Sequence, residues 1–150
     1  DWQYLSTNTI PGFIHGDLQF DNIIINNSGD FILIDWRHDF ADTVDYGDIY
    51  YDLAKMAGGF IVNYASIKNY NFDFEITGTE VTIKIPNIDE IDTYQQLLKE
   101  FVYSKGWDYK KVQQLIPIIF WNMSPLHKSP FGIFLWYLGM KMFEELENNY

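Results

Sequence analysis

Hydrophobic and polar positions alternate most cleanly over residues 72–85. Phe72, Phe74 and Ile76 alternate with Asp73, Glu75 and Thr77, and Val81, Ile83 and Ile85 alternate with Glu80, Thr82 and Lys84. A period of two marks a half-buried strand. Gly78-Thr79 between the two runs predicts a two-residue turn of type II′. That turn pairs Ile76 with Val81, Phe74 with Ile83, Phe72 with Ile85, and Asp73 with Lys84. All the apolar pairs then share one face. A second hairpin is predicted at about 23–27 and 31–35. There Ile23-Ile24-Ile25 and Phe31-Ile32-Leu33-Ile34 flank the turn-forming Asn26-Asn27-Ser28-Gly29-Asp30. Antiparallel pairing brings Asn22 and Asp35, just outside the two strands, to the same open end.

Elsewhere the period is helical. Ile49, Leu53, Ala57, Phe60, Ile61 and Tyr64 follow one helix face from Asp48 onward. Gly58-Gly59 within that run costs about 1 kcal/mol per residue relative to Ala, which predicts close packing or a break there. Asn87 and Glu90 resemble a capping box ahead of Ile88, Ile91, Tyr94, Leu97, Leu98, Phe101 and Val102, and Gly106 is the predicted stop. Asp108 is placed to cap a further helix to about Met123, with a kink predicted at Pro117. After a loop over 124–130, a last helix is predicted from Phe131 to Asn148. It is apolar nearly all round as far as Phe143, and so is expected to be buried centrally. Residues 1–12 are polar and end in the turn signal Pro11-Gly12, and residues 36–47 are predicted to be loop. The pattern as a whole predicts one α+β domain over 1–150, mostly helical, with two β-hairpins.

Composition narrows the classes open to this chain. Its 150 residues include no Cys, 10 Lys and Arg together, and 21 Asp and Glu together, for a formal net charge of −11. The absence of Cys excludes a disulfide framework, thiolate metal sites and a Cys nucleophile. It fits a reducing compartment, so a cytoplasmic location is expected. The acidic balance argues against nucleic acid as a partner and against an anionic membrane surface. No apolar run reaches the roughly 18 residues of a membrane span. The start, Asp-Trp-Gln-Tyr, has no initiator Met and no signal-peptide pattern, which suggests a piece of something longer. The acidity is also uneven. Nine of the 14 Asp lie between Asp17 and Asp52, accompanied by a single Arg, Arg37, the only one in the chain. Asp suits turns, caps and metal coordination, and most of these nine are expected to be loop residues facing solvent.

The chemistry concentrates in His15-Gly16-Asp17-Leu18-Gln19-Phe20-Asp21-Asn22, followed by Ile34-Asp35-Trp36-Arg37. The spacing is H-x-D-x-x-x-x-N with a further Asp beyond a hairpin, the arrangement of a kinase catalytic loop and metal-binding Asp. Phosphoryl transfer is mainly positioning and charge neutralisation. One carboxylate must hold the acceptor hydroxyl and receive its proton. Hard oxygens from an Asn and a second carboxylate must hold Mg²⁺ against the phosphates. A loop followed by a tight hairpin gathers three such residues although they span 19 positions. With Gly47-Asp48-Ile49-Tyr50-Tyr51-Asp52-Leu53-Ala54-Lys55-Met56 added, the sequence resembles the aminoglycoside phosphotransferase and choline kinase family of kinase-like small-molecule phosphotransferases, closely over about residues 10–60. The resemblance implies that Asp17 is the catalytic base and that Asn22 and Asp35 bind Mg²⁺ and, through it, ATP. It implies that His15 is a structural residue of the catalytic loop, not an acid or base. Asp52 resembles the helix Asp that hydrogen-bonds the backbone of that loop. Two readings stand for Asp21, substrate contact or plain exposure. Two also stand for Arg37, facing a phosphate or acidic substrate or pairing with a neighbouring Asp. Trp121, Trp136 and Tyr137 form either an aromatic cage for a cationic acceptor or core packing.

The resemblance also implies a first, ATP-binding lobe with a glycine-rich loop, a strand Lys, its Glu partner and a hinge. The sequence contains no G-x-G-x-x-G and no V-A-I-K-like strand. The chain therefore reads as the C-terminal lobe of a protein-kinase-like fold. The catalytic loop and metal site occupy 13–37, the second hairpin 72–85, and helices the rest. The expected function is transfer of the ATP γ-phosphate to a hydroxyl of a small molecule such as an aminoglycoside, choline or ethanolamine, or a sugar-like compound. ATP, that acceptor and an N-terminal kinase lobe are the implied partners. The piece alone is expected to be nearly inactive. The alternatives are a non-catalytic binding or regulatory module on the same scaffold and, further off, a metal-dependent hydrolase built on the Asp cluster.

Overall fold

A computed structural model describes residues 2–39, 43, 46–62, 72–78, 80–85 and 88–148, with side chains unspecified at 88 and 89. Among these residues the order is α1 (Trp2–Ser6), β1 (Pro11–Phe13), a 3₁₀ turn (Phe20–Asn22), β2 (Ile23–Ile25), β3 (Phe31–Leu33), β4 (Tyr46–Asp48), α2 (Ile49–Ile61), β5 (Asp73–Thr77), β6 (Glu80–Lys84), α3 (Ile88–Ser104), α4 (Tyr109–Met123), a 3₁₀ turn (Ser124–Leu126) and α5 (Phe131–Asn148). Among the described residues the fold is α+β, helical for the most part, with three separate two-stranded antiparallel sheets.

Local chemistry sets most boundaries. Asp48 caps α2 by accepting from the Tyr50 N–H, and Asp108 caps α4 by accepting from the Lys110 N–H. The α3 helix ends in a Schellman pair: Gly106 takes φ +71°, its N–H bonds Tyr103 O, and the Trp107 N–H bonds Val102 O. The β5–β6 register is the one the alternation predicts, with Asp73 opposite Lys84, Phe74 opposite Ile83 and Ile76 opposite Val81. Gly78 holds the positive φ of +64° that a primed turn needs at its first central position. Thr79 and Asn87, the other half of that turn and the proposed cap of α3, lie outside the described residues, as does Tyr64.

The core is helical. Leu53, Ala54 and Ala57 of α2 pack with Val112, Ile116 and Phe120 of α4 and with Phe134, Leu135 and Leu138 of α5. Gly58 makes the α2–α4 approach possible. A Cβ there would stand 3.3 Å from the Phe120 ring, so this glycine serves packing and α2 runs through it unbroken to Ile61. Pro117 likewise lies inside α4 without ending it.

Four expectations need correcting. The catalytic hairpin is shorter than predicted: β2 ends at Ile25, where Asn26 accepts from the Ser28 and Asp30 N–H groups and closes the turn, and β3 ends at Leu33, ahead of the left-handed Asp35. Residues 36–47 are not all loop, since β4 begins at Tyr46 and pairs with β1, Phe13 opposite Tyr46 and Pro11 opposite Asp48. Residues 1–12 are not simply a polar lead-in, since they contain α1 and most of β1. The last helix is not buried all round. Phe131, Phe134, Leu135 and Leu138 face the core while Ile133, Trp136 and Met140 are exposed.

Candidate active site

The site is built on the chain between β1 and α2. After β1 the backbone enters His15-Gly16-Asp17, and α2 reaches back to hold it. The Asp52 carboxylate accepts from the His15 N–H at 2.6 Å and from the Gly16 N–H at 2.9 Å. Burial pushes the Asp52 pKa up, and these two backbone bonds pull against that rise. His15 is buried and its two ring nitrogens both serve the backbone. Nε2 donates to Ile34 O at 2.8 Å and Nδ1 accepts from the Asp17 N–H at 3.3 Å. The Trp36 ring lies against the imidazole at 4.8 Å between centroids. Gly16 has φ +77°, and a Cβ there would meet the Arg37 side chain at 2.6 Å. Only glycine meets both conditions. The Arg37 N–H bonds His15 O at 2.9 Å, which draws the segment after β3 onto the loop.

Asn22 closes the loop from the other side. Its Nδ2 donates to Asp17 O at 2.9 Å and faces Asp17 Oδ2 at 3.4 Å. With Nδ2 so used, Oδ1 is the amide's available acceptor. The Ile34 N–H bonds Asn22 O at 3.0 Å, which extends the β2–β3 ladder by one step. Asp35 therefore follows directly at the open end of the hairpin, in the left-handed region with φ +60°. That conformation is uncommon for a residue with a Cβ. An amide oxygen and a carboxylate are the hard donors that suit Mg²⁺. Among the described residues no group of three or more His, Asp or Glu is placed to hold one ion.

Sequence reasoning missed one member of the site. Lys55 of α2 puts Nζ 2.7 Å from Asp17 Oδ1, with its side chain 7% exposed and that of Asp17 16% exposed. Its second neighbour is the Met123 sulfur at 3.8 Å. The signal was present, because Lys55 follows Asp52 at i+3 and so lies on the same inward face of an amphipathic helix. Lys55 also lines a cavity of about 150 Å³, together with Gln19, Asp21, Gly58, Phe120, Met123 and His127. A larger cavity, about 600 Å³ between α3, α4 and α5, includes none of these groups. Asp21 is exposed at the rim of the smaller cavity. Arg37 makes no ion pair among the described residues. It lies close enough to Tyr51 to pull its pKa down against a larger upward push from burial. Trp121 and Trp136 form a tilted pair at 6.0 Å, with Phe143 stacked on Trp121. Trp136 is half exposed, so these rings pack on one another at the surface and not in the core.

Fold and site together define an α+β protein in which a helix clamps an acidic loop against a β-hairpin. The chain belongs to the phosphotransferase enzyme family, whose model matches residues 2–81, more than half of the sequence. The match runs beyond the segment 10–60 that carries the resemblance, to include α1 and part of the second hairpin. No curated protein and no solved structure matches the chain. Among the described residues no helix is long and apolar enough to cross a membrane.

Proposed function

We propose that this chain is the C-terminal lobe of a kinase-like phosphotransferase that moves the γ-phosphate of ATP to a hydroxyl of a small molecule. The observation that carries the reading is the joint fixation of Asp17 and Asn22 beside Asp35, in a chain of phosphotransferase family membership. Asp17 holds the acceptor hydroxyl and takes its proton as the new O–P bond forms and the bond to the ADP oxygen breaks. Asn22 Oδ1 and the Asp35 carboxylate are the residues that would hold Mg²⁺. When bound, that ion neutralises phosphate charge and orients the γ-phosphoryl group. His15 and Asp52 keep the loop in shape. Asp21, at the cavity rim, and Arg37 are the residues nearest to hand for contacts with substrate.

The missing half of the ATP site is assigned to an N-terminal lobe. The support is the catalytic hairpin itself, whose apolar side chains are exposed on both faces, Ile24 and Ile32 on one and Ile25 and Phe31 on the other. A cytoplasmic setting with ATP at hand completes the proposal.

The test is phosphorylation of an acceptor panel (aminoglycosides, choline and ethanolamine, simple sugars) by the longer protein that carries the first lobe. Asp17→Ala is expected to lower turnover about 10²- to 10⁴-fold, the usual contribution of a positioned base. Turnover unchanged in Asp17→Ala would refute the assignment. The 150-residue chain alone is expected to bind Mg-ATP weakly, and tight binding by it would remove the need for a second lobe.

A further inference from the structure

Among the described residues two lysines are buried, Lys55 and Lys111, and their surroundings differ. Lys111 donates to the Leu5 and Thr7 carbonyls and lies near the Tyr4 and Tyr50 rings. Its donors are spent on tying the N-terminal segment to α4. Lys55 instead faces one carboxylate, one thioether and a cavity. An ammonium has three N–H donors. Asp17 takes one, and a thioether sulfur is only a weak acceptor. At least one strong donor is therefore left over on a side chain that also lines a cavity. Long charged side chains are almost never buried unless paired; Asp17 supplies that pairing in the free chain and leaves donor capacity for a second anion.

We propose that Lys55 is a catalytic residue that contacts the transferring phosphoryl group. The inference rests on the reading of Asp17 as the proton acceptor. An acceptor hydroxyl bonded to Asp17 has its oxygen about 2.7 Å from the carboxylate, and phosphorus must come within about 3–3.5 Å of that oxygen. Lys55 Nζ is 2.7 Å from Asp17 Oδ1, so an acceptor hydroxyl bonded to the same carboxylate brings the phosphoryl oxygens toward the remaining Lys55 donors. In the free chain the ammonium pins Asp17 Oδ1. As the acceptor oxygen attacks, its proton passes to Asp17, the bond between phosphorus and the ADP oxygen breaks, and the spare Lys55 donors meet the charge spread over the phosphoryl oxygens. α2 then supplies both the clamp on the catalytic loop and a cation for the reaction.

The test compares Lys55→Met and Lys55→Arg with Asp17→Asn in the full-length protein, reading kcat and KM for the acceptor and, by calorimetry, the affinities for ATP and ADP. Lys55→Met is expected to lower kcat at least 100-fold with acceptor KM within threefold, and to shrink the preference for ATP over ADP about tenfold. Lys55→Arg is expected to recover at least a tenth of wild-type kcat and most of that preference. An ATP-to-ADP preference within twofold of wild type in Lys55→Met overturns the proposal, even where kcat falls, because the lysine then only props Asp17. Should Lys55→Met fail to fold, Lys55→Gln carries the same expectations and the same refutation. If Asp17→Asn stays active, the underlying assignment of Asp17 fails. If Asp17→Asn is inactive while Lys55→Met behaves as wild type, only the assignment of Lys55 fails.

Discussion

Two hairpins are treated in opposite ways by this fold. The β5–β6 hairpin lays its apolar face on α5, where Phe72 meets Phe131 and Phe134 at 5.2 and 5.0 Å and Phe74 meets Tyr137 at 6.2 Å. Its Ile83 is only 8% exposed. The β2–β3 hairpin leaves its side chains outside, with Phe31 73% exposed. Yet it is β2–β3 that ends in Asn22 and Asp35. One hairpin is held by side chains against the core. The other is held by backbone bonds to a catalytic-type loop, through Ile34 to Asn22 and Arg37 to His15. Burial stabilises the first, whereas the second depends on its connection to α2.

The sharpest way to break that contrast is to cut the connection. Asp52→Ala strips the His15 and Gly16 N–H groups of their shared acceptor, and each buried donor left unpaired costs about 1–3 kcal/mol. Thermal melting is expected to fall by the equivalent of roughly 2–5 kcal/mol, with β2–β3 amides losing exchange protection before those of β5–β6. Equal loss in both hairpins would mean that they are not held independently. Next in size, Ile83→Ala is expected to cost about 2–4 kcal/mol through lost burial and a residual cavity, read as a lower denaturation midpoint. Phe31→Ser is its counterpart on the exposed hairpin and should stay within about 0.5 kcal/mol. A large cost for Phe31→Ser would show that its face is covered in solution. The smallest effect concerns the Lys84–Asp73 pair at 3.3 Å, with both side chains about 70% exposed. Lys84→Met should change stability by less than about 1 kcal/mol, read as a denaturation midpoint close to that of the unaltered chain.

The parts legible in the sequence were those fixed by neighbours along the chain. The β5–β6 register followed from alternation around Gly78, and the starts of α2 and α4 followed from Asp48 and Asp108. The bond from Ile34, next to Asp35, to Asn22 followed from a hairpin closed by a turn whose residues announce it. Contacts made across long loops were not legible. The β1–β4 pairing joins two three-residue strands, one of them containing Pro11, and neither carries a periodic signal. The i+3 spacing from Asp52 puts Lys55 on the inward face of α2, but its partner Asp17 lies 38 positions earlier, and no local pattern links the two. The outward face of α5 carries Ile133, Trp136 and Met140, so composition alone gave no hint that half of this helix would be exposed.

Asp52 and Lys55 stand three positions apart on α2, and that interval fixes more than a shared face. One residue inserted between them would turn Lys55 by about 100° and advance it by about 1.5 Å, away from Asp17, while leaving the bonds from Asp52 to the loop intact. The helix thus acts as a phase standard: the angular step of the backbone sets which side chains can reach the same carboxylate-bearing loop. Substitutions can retune this segment, but a change in its length between those two positions would put the clamp and the cation out of phase.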